Sequence, residues 1–375
     1  MEIPFNHRQS AHCETGVLAN LLGHHGLNIS ESMVFGIGSG LFFGYFPFIR
    51  INRLPLTAYR VRTGGIMKRA VKRLGVSLAW EKFRSPEKAM TVLDRKLLDA
   101  VPVGCRTGAY WLSYFPRRYR FHFNMHNLVV FGKQNGSYLI SDPVFPEPVY
   151  CPHDDLMKAR FARGPMPPKG RMYYVTHVPS HPDLTGAVRQ GIKEVCRTML
   201  KAPGPFLGVK GIRYLAKNVE TWPQKMGARE ASLRLGQVIR MQEEIGTGGG
   251  GFRFIYAAFL QEAAGLLNDD HLQRLSDRMT EVGDLWPAFA LVGSRICTQL
   301  ADARELGQHL LVDAAGKEGV VRIGAHVVER QHGDAADDGF GGCCIRCRRR
   351  RRTCRGSRGA LRTSSPGMRG RSQPS

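Results

Sequence analysis

A cysteine near the amino terminus stands where a helix is expected to begin. After Cys13, four apolar residues follow at helical spacing up to Gly26: Val17, Leu18, Leu21 and Leu22. Unpaired backbone N–H groups and the helix dipole favour an anion at the first turn, so they lower the pKa of a thiol there. Cys13 is therefore a candidate nucleophile. A lone cysteine is also often a small buried apolar residue, and both interpretations stay open at this point.

A histidine and an aspartate flank a predicted β-hairpin. The apolar runs Asn127 to Phe131 and Ser137 to Ser141 are joined by a turn containing Asn135-Gly136, a strong hairpin signal. His126 precedes the first strand and Asp142 follows the second, so pairing brings them within a few positions of each other. Asp142 could then orient the imidazole, leaving the other ring nitrogen to accept a thiol proton. Alternatively, the histidine is a structural residue at a strand end, and the aspartate opens an Asp-Pro turn.

The rest of the first half alternates short helical and strand patterns. The patterns predict helices at 65–74 and 85–100, and strands at 76–80, 101–105 and 172–177. The Gly-rich, aromatic segment from Ser30 to Ile51 is typical of a loop packed against a core, and Pro143 to Pro168 predicts irregular structure. Together with the hairpin, this alternation predicts an α+β domain over residues 1–180.

From Pro182 onward the apolar spacing becomes helical. The spacing predicts helices at 185–200, 208–219, 229–244, 252–267 and 272–286. The chain is therefore expected to have an all-α helical domain over residues 181–315. The glycine run Gly246 to Gly251 is interpreted as a connection between helices, because no strand precedes it and no Gly-Lys-Ser/Thr follows, as a phosphate loop requires.

The charge of the chain is unevenly distributed. There are 54 Lys and Arg against 31 Asp and Glu, a formal net charge of +23. Residues 339–375 hold 11 Arg and neither Lys nor acid, which leaves a net charge of +12 for the rest. Residues 316–375 are predicted to be a disordered Arg-rich tail. Such a tail could bind an anionic partner such as nucleic acid. Alternatively, the segment is translated out of frame, and its Arg-, Gly- and Cys-rich composition favours this second explanation. The nucleotide sequence near codon 315 would test it.

Cysteine spacing and hydropathy bear on the compartment. Five cysteines lie far apart in the first 300 residues, a spacing typical of reduced thiols. The amino terminus has no apolar segment typical of a signal peptide. The longest uncharged apolar run, Met33 to Ile49, contains four Gly and a Pro, which favours a buried segment over a membrane span. We therefore expect a cytoplasmic protein without a membrane partner.

Several motifs as a set resemble a known family. Phe5 to Thr15, Phe35 to Gly40, and His126 to Gly132 with Ser141-Asp142-Pro143 are similar to the butirosin biosynthesis protein H N-terminal family, within the papain-like, C39-peptidase-like group. Glu243 to Arg253 and Phe259 to Ala264 resemble the uncharacterised helical domain that often accompanies it. The resemblance spans about residues 1 to 300. It implies a papain-like domain, with the cysteine helix packed on an antiparallel sheet.

The resemblance also implies a reaction. Cys13 would be the nucleophile, His126 the base and Asp142 its orienter, moving an acyl group from an acidic acyl-carrier protein to an amine of a small, aminoglycoside-like acceptor. No cofactor is expected, and no metal either, because His24-His25 and His122 with His126 lack Cys or carboxylate partners at a recognised ligand spacing. Papain-like enzymes place an oxyanion Gln six residues before the cysteine; here His7 stands there, so His7 and Gln9 are the candidate donors. Peptide or amide hydrolysis by the same residues, and a non-catalytic binding protein on the same fold, are the alternatives.

Overall fold

The computed structural model describes residues 1–51, 53–245 and 249–302. Within these ranges, helices and antiparallel strands alternate up to residue 177, and only helices follow. The predicted α+β class, with a helical part after the sheet, is thereby confirmed. The predicted tail over 316–375 and the last residues of the predicted helical domain, 303–315, lie outside the described residues.

The described residues form eight strands and nine α-helices. The strands are β1 (Leu41–Ile51), β2 (Leu54–Arg60), β3 (Ser77–Glu81), β4 (Val103–Thr107), β5 (His126–Gln134), β6 (Ser137–Ser141), β7 (Val149–Pro152) and β8 (Met172–His177). The helices are α1 (Cys13–His24), α2 (Glu31–Ile37), α3 (Gly65–Leu74), α4 (Pro86–Leu98), α5 (His153–Arg160), α6 (Leu184–Lys201), α7 (Gly208–Glu243), α8 (Arg253–Leu267) and α9 (Asp270–Asp302).

Six strands form the main sheet, in the order β3-β8-β4-β5-β6-β7, and every neighbouring pair is antiparallel. The predicted hairpin is its β5–β6 pair, closed where Gln134 faces Ser137. Asn135 and Gly136 between them both have left-handed backbone angles, with φ of 49° and 76°. Two such residues make the tight turn that an Asn-Gly pair favours. The turn sets the register, which places His126 at one end of β5 and Asp142 directly after β6.

Helix α1 is buried along most of its length. Its stripe of Leu18, Leu21 and Leu22 is fully inaccessible, and the opposite face is also covered. Its polar residues Glu14, Thr15 and Asn20 are buried as well, so the helix lies inside the protein. Here it packs between the sheet, where Val129 of β5 faces it, and helices α2 and α3. The cysteine at its first turn is consequently held against the sheet.

The loop predicted from Ser30 to Ile51 is wrong. The segment forms helix α2 and the long strand β1, which pairs with β2 in a separate two-stranded sheet. Ser30 begins the helix, because its Oγ accepts a hydrogen bond from Met33 N at 3.0 Å. The glycines that suggested a loop have a packing role: a Cβ at Gly36 would overlap the ring of Phe259 on α8. The close approach of α2 and α8 therefore requires glycine there.

A further correction concerns proline. The region from 143 to 168 was predicted to be irregular, yet it contains strand β7 and helix α5, with Pro152 at the helix N-cap.

The two helices predicted at 208–219 and 229–244 both form, as the two parts of the long element α7. They meet at a kink, where Gly227 has non-helical backbone angles with φ 79°. Pro223 lies inside the first part, which therefore extends beyond the predicted end at residue 219.

The sheet separates two hydrophobic cores. One lies between the sheet, helices α1 to α3, the β1–β2 pair and helices α6 to α9; the other lies on the opposite face, under α4 and α5. The first core includes residues on both sides of residue 180, for example Phe35 and Phe259. The division at 180 stays a prediction. Among the described residues, no helix is long and apolar enough to cross a membrane.

Candidate active site

Cys13 is the first residue of α1 and is buried. The residue before it, His12, has an extended backbone and its side chain does not cap the helix. The first-turn N–H groups thus surround the thiol with partial positive charge. The N–H groups of Ala11 and His12 point elsewhere, to the two carboxylate oxygens of Glu31 at 2.9 and 3.2 Å. Glu31 therefore fixes the chain as it enters the helix and the cysteine position with it.

The neighbouring Glu14 ties α1 to α3. Its buried carboxylate accepts hydrogen bonds from Gly64 N at 3.0 Å and Met67 N at 3.2 Å, at the start of that helix. It also forms a salt bridge with Arg60 at 3.2 Å. A carboxylate at a helix N-terminus satisfies orphan N–H groups and complements the helix dipole. The residue after the cysteine therefore holds α1 in one position.

His126 and Asp142 meet as the hairpin predicts. His126 Nε2 lies 2.6 Å from Asp142 Oδ2, and both side chains are almost inaccessible. The same Oδ2 accepts a hydrogen bond from the Tyr114 hydroxyl at 2.7 Å, while Oδ1 accepts one from Val144 N at 3.3 Å. The Asp142 carboxylate thus orients the imidazole and also closes the turn that follows β6. The two interpretations of this residue are compatible.

The other imidazole nitrogen faces the cysteine. With Nε2 on the aspartate, Nδ1 is left for the thiol of Cys13, and the interaction between these two side chains shifts the pKa of both. The structure therefore brings Cys13, His126 and Asp142 together in one site. This is the papain-like arrangement, in which a helix supplies the sulfur and two neighbouring strands supply the base and its orienter.

The pKa values of the pair shift in opposite directions. Burial favours a neutral imidazole, but the charge and hydrogen bond of Asp142, with a contribution from Cys13, raise the pKa of His126 to about 10. Burial also disfavours a thiolate, yet the hydrogen bond and charge of His126 lower the pKa of Cys13 below its ordinary value of 9.0. Both directions favour a thiolate–imidazolium pair, the reactive form of a cysteine nucleophile.

Aromatic side chains cover the histidine. Phe115 packs edge-on against the His126 ring with 5.4 Å between centroids, and Phe145 packs against Phe115 at 4.9 Å. Tyr114, next to Phe115, supplies the hydroxyl on Asp142. Tyr114 lies in an irregular segment without periodicity, so no pattern in the sequence marked it. These rings keep water away from the imidazole, which strengthens its interaction with the aspartate.

Asn127 was also not among the predicted site residues, yet its amide Nδ2 lies 3.9 Å from Cys13 Sγ. A buried polar residue in an otherwise apolar strand was the available signal. The predicted oxyanion donors are placed differently. His7 Nε2 donates to the Phe145 carbonyl at 3.0 Å, so its Nδ1, at 2.8 Å, accepts from the Ser141 hydroxyl. Gln9 is exposed. The oxyanion role of either residue stays a prediction.

A cavity of about 410 Å³ lies beside the loop that carries Tyr114 and Phe115. Its lining combines aromatic, basic and acidic side chains: Tyr110, Trp111, Ser113, Arg117, Arg120 and Asp155. The volume is in the range of small-molecule sites. In the described part of the chain, no group of three His, Cys, Asp or Glu residues could hold a metal ion.

Comparison with known proteins gives two family matches. Residues 154–320 match the domain of unknown function DUF4872. A solved structure from Bacillus anthracis, described as a C39-like peptidase, is 16% identical and aligns over 48% of this chain and 100% of its own, with a TM-score of 0.34. That score establishes neither a common fold nor a common activity. No curated protein matches the chain significantly. Residues 12–143, which contain Cys13, His126 and Asp142, match the family Butirosin biosynthesis protein H, N-terminal, so the resemblance predicted from the sequence is confirmed.

Proposed function

We propose that this protein transfers an acyl group from a carrier-protein thioester, through Cys13, to an amine of a small acceptor. The observation that carries the proposal is the buried chain from the Cys13 thiol through His126 to Asp142, with pKa shifts that favour a thiolate. The family match supports the thioester and amine in the reaction, because the resemblance implies acyl transfer.

In the first half of the reaction, the thiolate of Cys13 attacks the thioester carbonyl. A new carbon–sulfur bond forms and the bond to the carrier sulfur breaks. The imidazolium of His126 gives its proton to the departing thiolate, which leaves as a thiol. Asp142 stabilises the imidazolium before this transfer and holds the ring in place during it. The product is an acyl group on Cys13 beside a neutral histidine.

In the second half, the amine attacks the acyl-enzyme carbonyl. The amine loses a proton to the neutral His126, the amide bond forms and the bond to Cys13 breaks, which regenerates the thiolate–imidazolium pair. Transfer to an amine instead of water requires a site from which water is excluded. The rings of Phe115 and Phe145 over the histidine support this requirement.

Two features support the proposed partners. Outside residues 339–375 the chain has a net charge of +12, which suits an acidic carrier protein because opposite charges steer encounter. The family match supports a small amine as the acceptor, because the resemblance implies transfer to an amine.

The test uses the full chain and an acyl-pantetheine thioester, with and without a panel of small amines. Intact-mass spectrometry should show an added acyl group, and peptide mapping should place it on Cys13. With an amine present, we expect the amide to form and the acyl-enzyme to decay. The Cys13→Ala variant is the control and should show neither.

The outcomes separate the alternatives. Release of free acid alone, with every amine, would reject transfer and indicate a hydrolase. Absence of any acyl-enzyme, with thiol reactivity no greater than that of Cys196 or Cys297, would indicate a binding protein on the same fold.

A further inference from the structure

An asparagine approaches the sulfur of Cys13 from the strand that also carries His126. Asn127 Nδ2 lies 3.9 Å from Cys13 Sγ, and the asparagine is buried. Side chains alternate along a strand, so Asn127 shares a face of β5 with Val129, which belongs to the core that α1 helps to form. The amide therefore lies on the face of the sheet against which the helix bearing the cysteine packs.

Neighbouring groups fix the orientation of this amide. Nδ2 donates to the carbonyl oxygen of Met125 at 3.2 Å, and a carbonyl can only accept, so the nitrogen must be at that end. At the other end, Oδ1 accepts a hydrogen bond from the buried Tyr173 hydroxyl at 3.1 Å. One N–H of the amide is used by Met125. The second is left for the sulfur.

A buried thiolate needs donors of this kind. Burial alone raises the pKa of a thiol, and each N–H directed at the sulfur favours the charged form. The backbone N–H of Asn127 also lowers the pKa of Cys13. The side-chain amide of Asn127, 3.9 Å from the sulfur, adds a second N–H beside the atom that must carry negative charge.

We infer that Asn127 is a further catalytic residue, whose amide N–H stabilises the Cys13 thiolate both as the attacking group and as the group that leaves in the second half of the reaction. The inference rests on the proposed function, in which Cys13 is the nucleophile. Unlike His126, the asparagine exchanges no proton. It acts on the ionisation of the sulfur alone.

The test is the pH dependence of Cys13 alkylation by iodoacetamide, followed by peptide-resolved mass spectrometry in the full chain. Asn127→Leu keeps the shape of the side chain but removes the donor. Since a hydrogen bond to a charged group is lost, we expect the midpoint of the pH profile of Cys13 alkylation to rise by about one pH unit. Asn124→Leu is the matched control, because Asn124 is a buried asparagine that donates to the carbonyls of Arg163 and Pro165. Its midpoint should stay at the wild-type value.

Asn127→Asp provides a second variant of nearly identical shape, for use if circular dichroism shows that the leucine variant does not fold. The added negative charge beside the sulfur should raise the midpoint of the alkylation profile at least as much as Asn127→Leu does. A wild-type midpoint in a folded Asn127 variant would overturn the inference, and so would an equal rise in Asn124→Leu. No acyl donor is involved, so this test is separate from the test of the proposed function. If Cys13 in the wild-type protein is alkylated as slowly as an ordinary thiol, the proposed function fails. If only the shift in the Asn127 variants is missing, the role of Asn127 fails.

Discussion

Two buried cysteines, both on the α+β part of the molecule, have opposite chemistry. Cys105 lies inside strand β4 and is inaccessible; burial raises the pKa of its thiol. Cys13 is also buried, but the pKa of its thiol is lowered. The main difference is what surrounds each sulfur. Cys105 is enclosed in the apolar core under α4 and α5, whereas Cys13 lies at a helix tip beside an imidazole and an amide.

The comparison shows that burial does not decide whether a thiol is reactive. Cys151, another inaccessible cysteine, behaves like Cys105. Burial and the charge of Asp155 raise the pKa of its thiol to about 12. Burial thus makes a thiol inert unless donors and a positive charge oppose it. At Cys13 the hydrogen bond from His126 is the largest opposing contribution, and Asp142 maintains the charge of that histidine.

Removing each sulfur in turn is expected to have the largest effect. Cys13→Ala should lower acyl transfer by at least about 10⁴-fold, because no other group can form the acyl-enzyme. Cys105→Ala should leave the rate within about twofold, since the site does not use that sulfur. Steady-state rates with an acyl-pantetheine thioester and an amine measure both. Equal losses in the two variants would show that the cysteines differ in nothing that matters to the reaction.

The second largest effect is expected at the carboxylate behind the histidine. Asp142→Asn removes the charge that keeps the imidazole protonated and oriented, so acyl transfer should fall roughly 100-fold or more. Asp94→Asn is a matched control, because Asp94 also accepts a hydrogen bond from a tyrosine, Tyr138 at 2.7 Å, but lies away from the sulfur. Its rate should stay close to wild type. A rate for Asp142→Asn within tenfold of wild type would reject the assigned role.

A third effect concerns the pH dependence of alkylation. The imidazolium favours the thiolate and, with a pKa of about 10, persists across the neutral range, so Cys13 should react well below pH 9. His126→Gln removes the positive charge while burial remains, so the midpoint should move upward and the rate at pH 7 should fall by about tenfold or more. Cys105 should stay unreactive in both proteins. If the midpoint for Cys13 is unchanged in His126→Gln, the charge of His126 is not the cause of the low thiol pKa.

The elements around the active site were predictable because their signals are local. The Asn135-Gly136 turn closes the hairpin, and the pairing of its strands, with a register shift between Val130 and Gly132, brings His126 next to Asp142. Strand β8 and helix α3 were predicted with the observed bounds, 172–177 and 65–74. Periodicity and turn residues are short-range patterns, so a single sequence contains them.

What the sequence did not reveal depends on contacts between distant segments. Strand β1 was hidden because Gly36, Gly40 and the aromatic residues around them imitate a loop, and only the packing of α8 explains the glycine at 36. The hydroxyl of Tyr114 reaches Asp142 from an irregular segment 28 residues away. Asn127 was overlooked because a strand pattern does not reveal which helix covers each face. The roles of His7 and Gln9 stay predictions for the same reason.

The smallest expected effect is on stability, where substitution of Cys105 should cost more than substitution of Cys13. Cys105→Ser introduces a hydroxyl into an apolar core, which should reduce the free energy of unfolding by about 1–3 kcal/mol. Cys13→Ser introduces the same hydroxyl beside His126 and the Asn127 amide, where it has hydrogen-bonding partners, so the loss should be under about 1 kcal/mol. Urea unfolding followed by circular dichroism measures both. A larger loss for Cys13→Ser would mean that the surroundings of the helix tip are fitted to the size of sulfur and do not simply accommodate a polar atom.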